Sequence, residues 1–95
     1  MFISNMTHFL DEEGNIATTM NKHGREIASF LALVVDSATR PPSEEYVELN
    51  CWKKKCIGTI EIEIMEESNS IEYWCTDCDN AGIISGWEGT KWDLR

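Results

Sequence analysis

Two different periodicities divide the chain. Ile27, Phe30, Leu31, Val34, Val35 and Ala38 fall at i, i+3, i+4, i+7, i+8 and i+11, which places all six on one face of an α-helix. Asn21 stands where an N-cap would, although Gly24 lowers propensity in the first turn. Pro41 and Pro42 forbid continuation and push Arg40 towards extended geometry. The spacing therefore predicts a helix over 22–39. Beyond the linker-like run Pro41-Pro42-Ser43-Glu44-Glu45 the period changes to two. Ile60, Ile62 and Ile64 alternate with Glu61 and Glu63, the pattern of a strand with one buried and one wet face. Glu66-Glu67-Ser68-Asn69-Ser70 reads as a turn. Ile71-Glu72-Tyr73-Trp74 then resumes the alternation, with Trp74 on the face opposite Ile71 and Tyr73. Residues 57–74 are thus expected to form an antiparallel hairpin. Asp79-Asn80-Ala81-Gly82 is a further turn, and Ile83-Ile84 suggests a third short strand. At the other end, Phe2, Ile3, Met6, Phe9 and Leu10 are consistent with a short strand, followed by a turn at residues 11–15.

The charge balance narrows the function classes. In 95 residues, 8 Lys and Arg face 17 Asp and Glu, a formal charge of −9. That field repels phosphate backbones and anionic bilayers, and so disfavours nucleic-acid and membrane partners. No apolar run approaches the ~20 residues of a membrane span. Met1–Leu10 has no Lys or Arg and no long apolar core, so it is not expected to act as a signal peptide. The expected compartment is the reducing cytoplasm, where paired cysteines read as metal-binding or catalytic before they read as disulfides.

Four cysteines carry the chemistry. They fall as Cys51-x4-Cys56 and Cys75-x2-Cys78, one close pair on each side of the expected hairpin. This is the arrangement of a zinc ribbon: each pair sits on a tight loop that directs two sulfurs to one point, and the hairpin brings the loops together. Iron suits the same sulfur cage and is the lesser alternative. Two disulfides, or redox catalysis at Trp74-Cys75-Thr76-Asp77-Cys78, are the rival readings. The redox motif wants a helix after its first cysteine, whereas a turn and a strand are expected here.

Smaller signals remain. Lys53, Lys54 and Lys55, preceded by Trp52, form a local basic and aromatic patch that would suit single-stranded nucleic acid. Charge compensation of a thiolate cage explains the same lysines more simply. Trp52, Trp74, Trp87 and Trp92 all lie in the cysteine-rich half. They either fill a small core around the metal or, for Trp87 and Trp92, stand exposed as anchors for a protein partner. His8 and His23 are not needed by a site that four cysteines already fill. The pairs Glu12-Glu13, Glu44-Glu45 and Glu66-Glu67 lie in turns or the linker and read as solvated surface. No Ser-His-Asp set or phosphate-binding loop is present in the sequence.

The stretch from Trp74 to Asp93, with Cys75, Cys78, Gly82, Ile84, Trp87, Gly89, Thr90, Trp92 and Asp93 as its spaced positions, resembles a group of small uncharacterised bacterial proteins. That group looks like a C-terminal zinc ribbon preceded by a short helical segment, with a basic loop between its first two cysteines. The resemblance covers residues 51–95 well and 6–39 loosely. It implies that Cys51, Cys56, Cys75 and Cys78 are metal ligands, and it implies no activity. Asp79 departs from it, since knuckles of this kind usually carry Gly there.

The expected fold class is α+β: an N-terminal amphipathic helix in residues 1–42, then a three-stranded antiparallel zinc ribbon in residues 43–95, together one compact domain. The helix stripe would pack on the Ile60, Ile62 and Ile64 face or on a second copy in a homodimer. The expected function is a non-enzymatic protein with a structural four-cysteine zinc site that binds a protein partner. The alternatives are a nucleic-acid-binding ribbon using Trp52 and Lys53–Lys55, and a thiol redox or iron electron-transfer protein.

Overall fold

The computed structural model describes residues 2–40, 49–51 and 56–95. Strand β1 (Phe2–Asn5) runs into a 3-10 turn (Met6–Phe9). Helix α1 (Lys22–Thr39) follows, and then strands β2 (Ile60–Met65), β3 (Ser70–Cys75) and β4 (Ala81–Ser85). The helix has the bounds its apolar spacing implies, and the Asn21 side chain caps it by accepting the Gly24 N–H at 2.8 Å. The hairpin is also present, with Ile62 opposite Tyr73 and Ile64 opposite Ile71.

The sheet corrects the expected fold class. It has four strands in the order β1-β4-β3-β2, and β1 lies parallel to β4, from Phe2 beside Gly82 to Asn5 beside Ser85. The helix therefore sits between the first and second strands of one mixed sheet. It does not precede a separate three-stranded antiparallel ribbon. A physical reason lies at Gly82: a Cβ there would overlap both the Tyr73 hydroxyl and the Phe2 carbonyl. Only glycine lets β1 approach this closely, and the pairing it permits joins the two ends of the chain.

One face of the sheet is buried under α1. Phe30, Leu31, Val34 and Val35 from the helix join Met6, Ile60, Ile71, Tyr73, Ile84 and Trp87 in a single apolar cluster. The stripe thus packs on the chain's own sheet, with Phe30 edge-on to Tyr73 at 5.4 Å between ring centroids. The alternation in β2 is as expected: Ile60 is buried, Ile62 and Ile64 are half-buried, and Glu61 and Glu63 are exposed.

The glycine-broken end of the chain closes this core. Trp87 is 0% exposed and donates its indole N–H to the Asn69 carbonyl at 2.8 Å. Asn69 adopts a positive φ of 51° in the hairpin turn. Arg95 lies over the Trp87 ring, 4.4 Å from its centroid. The expectation of an exposed Trp87 anchor is overturned, because the ring completes the core and has no surface to offer. Its indole reaches the hairpin turn before β3, and it belongs to the same apolar cluster as Cys51 and Cys75. Trp92 is half-buried against the same cluster.

Candidate metal centre

The two cysteine pairs are brought together by backbone pairing. Residues 49–51 run antiparallel to 58–60: Ile60 donates to the Leu49 carbonyl at 2.8 Å, and Cys51 donates to the Gly58 carbonyl at 2.9 Å. Cys75 ends β3 and donates to the Asn80 carbonyl at 2.8 Å, closing a tight loop that holds Cys78 before β4 begins. The loops are then tied to each other. Thr76 N–H donates to the Thr59 carbonyl at 3.0 Å, and Thr59 N–H donates to the Thr76 hydroxyl at 3.1 Å.

The four sulfurs converge as a result. All four Sγ atoms lie within 4.8 Å of one another, with Cys51 to Cys78 at 3.7 Å and Cys56 to Cys75 at 3.6 Å. A tetrahedron of sulfurs ~2.3 Å from a central ion has edges of about 3.8 Å, whereas a disulfide would need about 2.05 Å. Both of these contacts run between the two pairs, as convergence on one point requires. Four cysteines so placed are compatible with a structural metal site.

Donors around the sulfurs favour their charged form. Three sulfurs accept an N–H from the residue two positions on: Cys56 from Gly58, Cys75 from Asp77 and Cys78 from Asn80, each at 3.4 Å. Cys51 is approached by the side-chain nitrogen of Asn80 at 3.5 Å. The thiols respond unequally. The Asp77 N–H, opposed by burial and helped by the neighbouring Cys78 and Cys56, draws Cys75 down to about 7. At Cys56 the Gly58 N–H is outweighed by burial and by the sulfurs of Cys78, Cys75 and Cys51, which push it up to about 12. Four thiols crowded at one point cannot all ionise independently, and a bound cation relieves that conflict.

Cys51, Cys56, Cys75 and Cys78 are therefore brought together as the sequence implied, and neither His8 nor His23 joins them. The strand β4 after Cys78 leaves Cys75 without the helix N-terminus that a redox cysteine uses. Trp52, Lys53, Lys54 and Lys55 lie outside the described residues. Two contributors went unnoticed in the sequence. Gly58 is buried, and a Cβ on it would overlap the Cys75 sulfur. Asn80 touches three of the four cysteines through its N–H, its carbonyl and its side chain. The faint signals were a glycine two residues past Cys56 and an asparagine two past Cys78. Asp79 needs no left-handed turn: Asn69 is the only described non-glycine residue with a positive φ.

Comparison with protein-family models, curated proteins and solved structures found no match to this chain.

Proposed function

We propose that this chain is a small non-enzymatic protein of the cytoplasm whose Cys51, Cys56, Cys75 and Cys78 hold a structural Zn²⁺, and that it serves as a protein-interaction module. The observation that carries the reading is the convergence of four sulfurs from two separately built loops, each sulfur met by an N–H donor. Zinc takes four soft thiolates in a closed tetrahedron and does no redox chemistry there. A closed cage of four sulfurs leaves no open position for a substrate, which supports a structural rather than a catalytic role. The cation would tie the segment before β2 to the end of β3 and to the loop that follows it.

Metal analysis tests this directly. Purified protein should carry about one zinc per chain, and chelation should unfold the hairpin end, because binding and folding share one free energy. Iron in place of zinc would turn the reading to electron transfer. Stable folding with no metal would sink the site.

A further inference from the structure

The sheet has a second face that no described element covers. Helix α1 packs on the face bearing Ile60, Ile71, Tyr73 and Ile84. The register places Glu61, Glu63, Glu72, Trp74, Ile83 and Ile3 on the other. A wet face on a sheet is ordinary, but the composition of this one is not. Ile3 is 77% exposed at one side and Trp74 is 37% exposed at the other. Glu61 stands directly opposite Trp74, and Glu63 directly opposite Glu72.

Like charges directly opposite one another across two strands are destabilising. None of the ion pairs formed among the described residues involves Glu61, Glu63 or Glu72. A metal ion does not resolve the conflict, since among the described residues only the cysteines converge closely enough to hold one. The carboxylates are spread out. Glu61 and Glu63 are two residues apart on one strand, so they repeat at about 6.8 Å, the same interval as alternate side chains of any extended chain. Beside them, Trp74 is partly exposed, and an indole ring attracts cations. A second copy of this face would set carboxylate against carboxylate, and a nucleic acid would meet the same repulsion.

We infer that this face, from Trp74 across Glu61, Glu63 and Glu72 towards Ile3, receives an extended cationic segment of a partner protein with Lys or Arg at alternate positions. This names the partner surface of the interaction module proposed above and rests on that reading. One basic side chain sits between Glu63 and Glu72, and the next on the same face of the segment lies against Glu61 and the Trp74 ring.

The test is calorimetric titration of the metal-loaded full chain with the peptide acetyl-Arg-Val-Arg-Val-Arg-amide at physiological salt. The triple variant Glu61→Gln, Glu63→Gln, Glu72→Gln should bind about tenfold more weakly, as the loss of several exposed ion pairs would give. A second triple variant, Glu12→Gln, Glu13→Gln, Glu88→Gln, makes the same charge change at exposed sites elsewhere and should retain affinity within about twofold, leaving only the change in the screened overall field. Trp74→Leu should weaken binding about fivefold by removing the ring face. Equal losses in both triple variants would show only the attraction of a −9 chain for any cation and would overturn the inference. So would absence of saturable binding, or a dimer in sedimentation that the first triple variant disrupts. A chain that holds zinc but fails these titrations sinks this surface alone. A chain without zinc sinks the metal reading, and the paired variants still decide the surface.

Discussion

The hydroxyl of Thr39, in the last turn of α1, accepts the backbone N–H of Leu94 at 3.0 Å. Its own hydrogen lies between the carbonyls of Val35 at 2.8 Å and Trp92 at 3.1 Å. Thr39 is buried, and its one hydroxyl joins the end of the helix to the last residues of the chain. The same closing segment holds the hairpin turn through Trp87 and Asn69. Asp93 steadies it internally by accepting the Gly89 N–H at 3.0 Å. The spaced Gly, Trp, Thr and Asp positions at the end of the sequence thus act as a clasp over the open end of the core.

Thr39→Val keeps the shape and removes the hydroxyl. Leu94 N–H then loses its partner in a part-buried contact, a loss of about 1 kcal/mol. Urea unfolding should show a lower midpoint with an unchanged slope. Thr39→Ser restores the oxygen and should recover most of the difference; if serine and valine behaved alike, the hydrogen bonds would not be what holds the clasp.

At the other end of the sheet, Gly58 and Cys75 are in competition for the same space. Gly58→Ala would drive a methyl group into the Cys75 sulfur and towards Asp77, displacing one of the four converging sulfurs. Metal affinity should fall by well over tenfold, read by competition with a chromophoric chelator, and the fold should loosen at the hairpin end. Gly89 is a useful contrast, because nothing lies within 4 Å of a Cβ there. Gly89→Ala suffers only its positive φ of 74°, costing about 1–2 kcal/mol with metal affinity unchanged.

The parts of this structure that could be read from the sequence are those set by local physics. Six apolar residues at helical spacing, Asn21 as a cap and Pro41 as a stop place α1 within its own stretch of chain. The isoleucine–glutamate alternation does the same for the hairpin, and cysteine spacing does it for the sulfur cluster. The parallel alignment of β1 with β4 has no local sign: Phe2 meets Gly82 from the far end of the chain, and a four-residue strand carries too little pattern to name its neighbour. Trp87 misleads for a related reason. In a stretch broken by Gly86 and Gly89 no periodicity assigns it a face, so burial and exposure look alike until Asn69 is seen to accept its N–H. Part of the roles of Gly58 and Asn80 has no local sign, because Gly58 abuts Cys75 and the Asn80 side chain reaches Cys51.

Tyr73 gives the fold an alkaline limit. Its ring is buried under Phe30, and burial raises the phenol above its usual value of 10.0. Below that value the phenol is neutral in folded and unfolded chains alike, and the stability from this group is fully present. As the pH rises towards the folded value, the unfolded chain loses the proton first, so stability falls. Tyr73→Phe removes this slope. The stability of the variant minus that of the parent, measured by urea unfolding, should be flat from about pH 8 to about pH 9.5 and then rise towards about pH 11. A flat difference throughout would mean that the phenol reaches solvent when ionised.

Asn80 gives the sharpest test of how the surroundings of the sulfurs work. Its N–H meets Cys78 at 3.4 Å, its side-chain nitrogen meets Cys51 at 3.5 Å, and its carbonyl accepts the Cys75 N–H at 2.8 Å. Substitution changes only the side-chain contact, so the loop itself should survive. Asn80→Ala removes one donor from a sulfur and should lower metal affinity about tenfold, at the lower end of what such supporting partners contribute. Asn80→Asp replaces the donor with a carboxylate in a buried position, where it faces thiolate charge without a partner. Its affinity should fall further than that of the alanine variant near neutral pH, and the gap should close as acid protonates the carboxylate. Chelator competition at two pH values measures both effects. Equal affinities for the two variants at neutral pH would mean that the side chain at this position does not act on Cys51 through its charge.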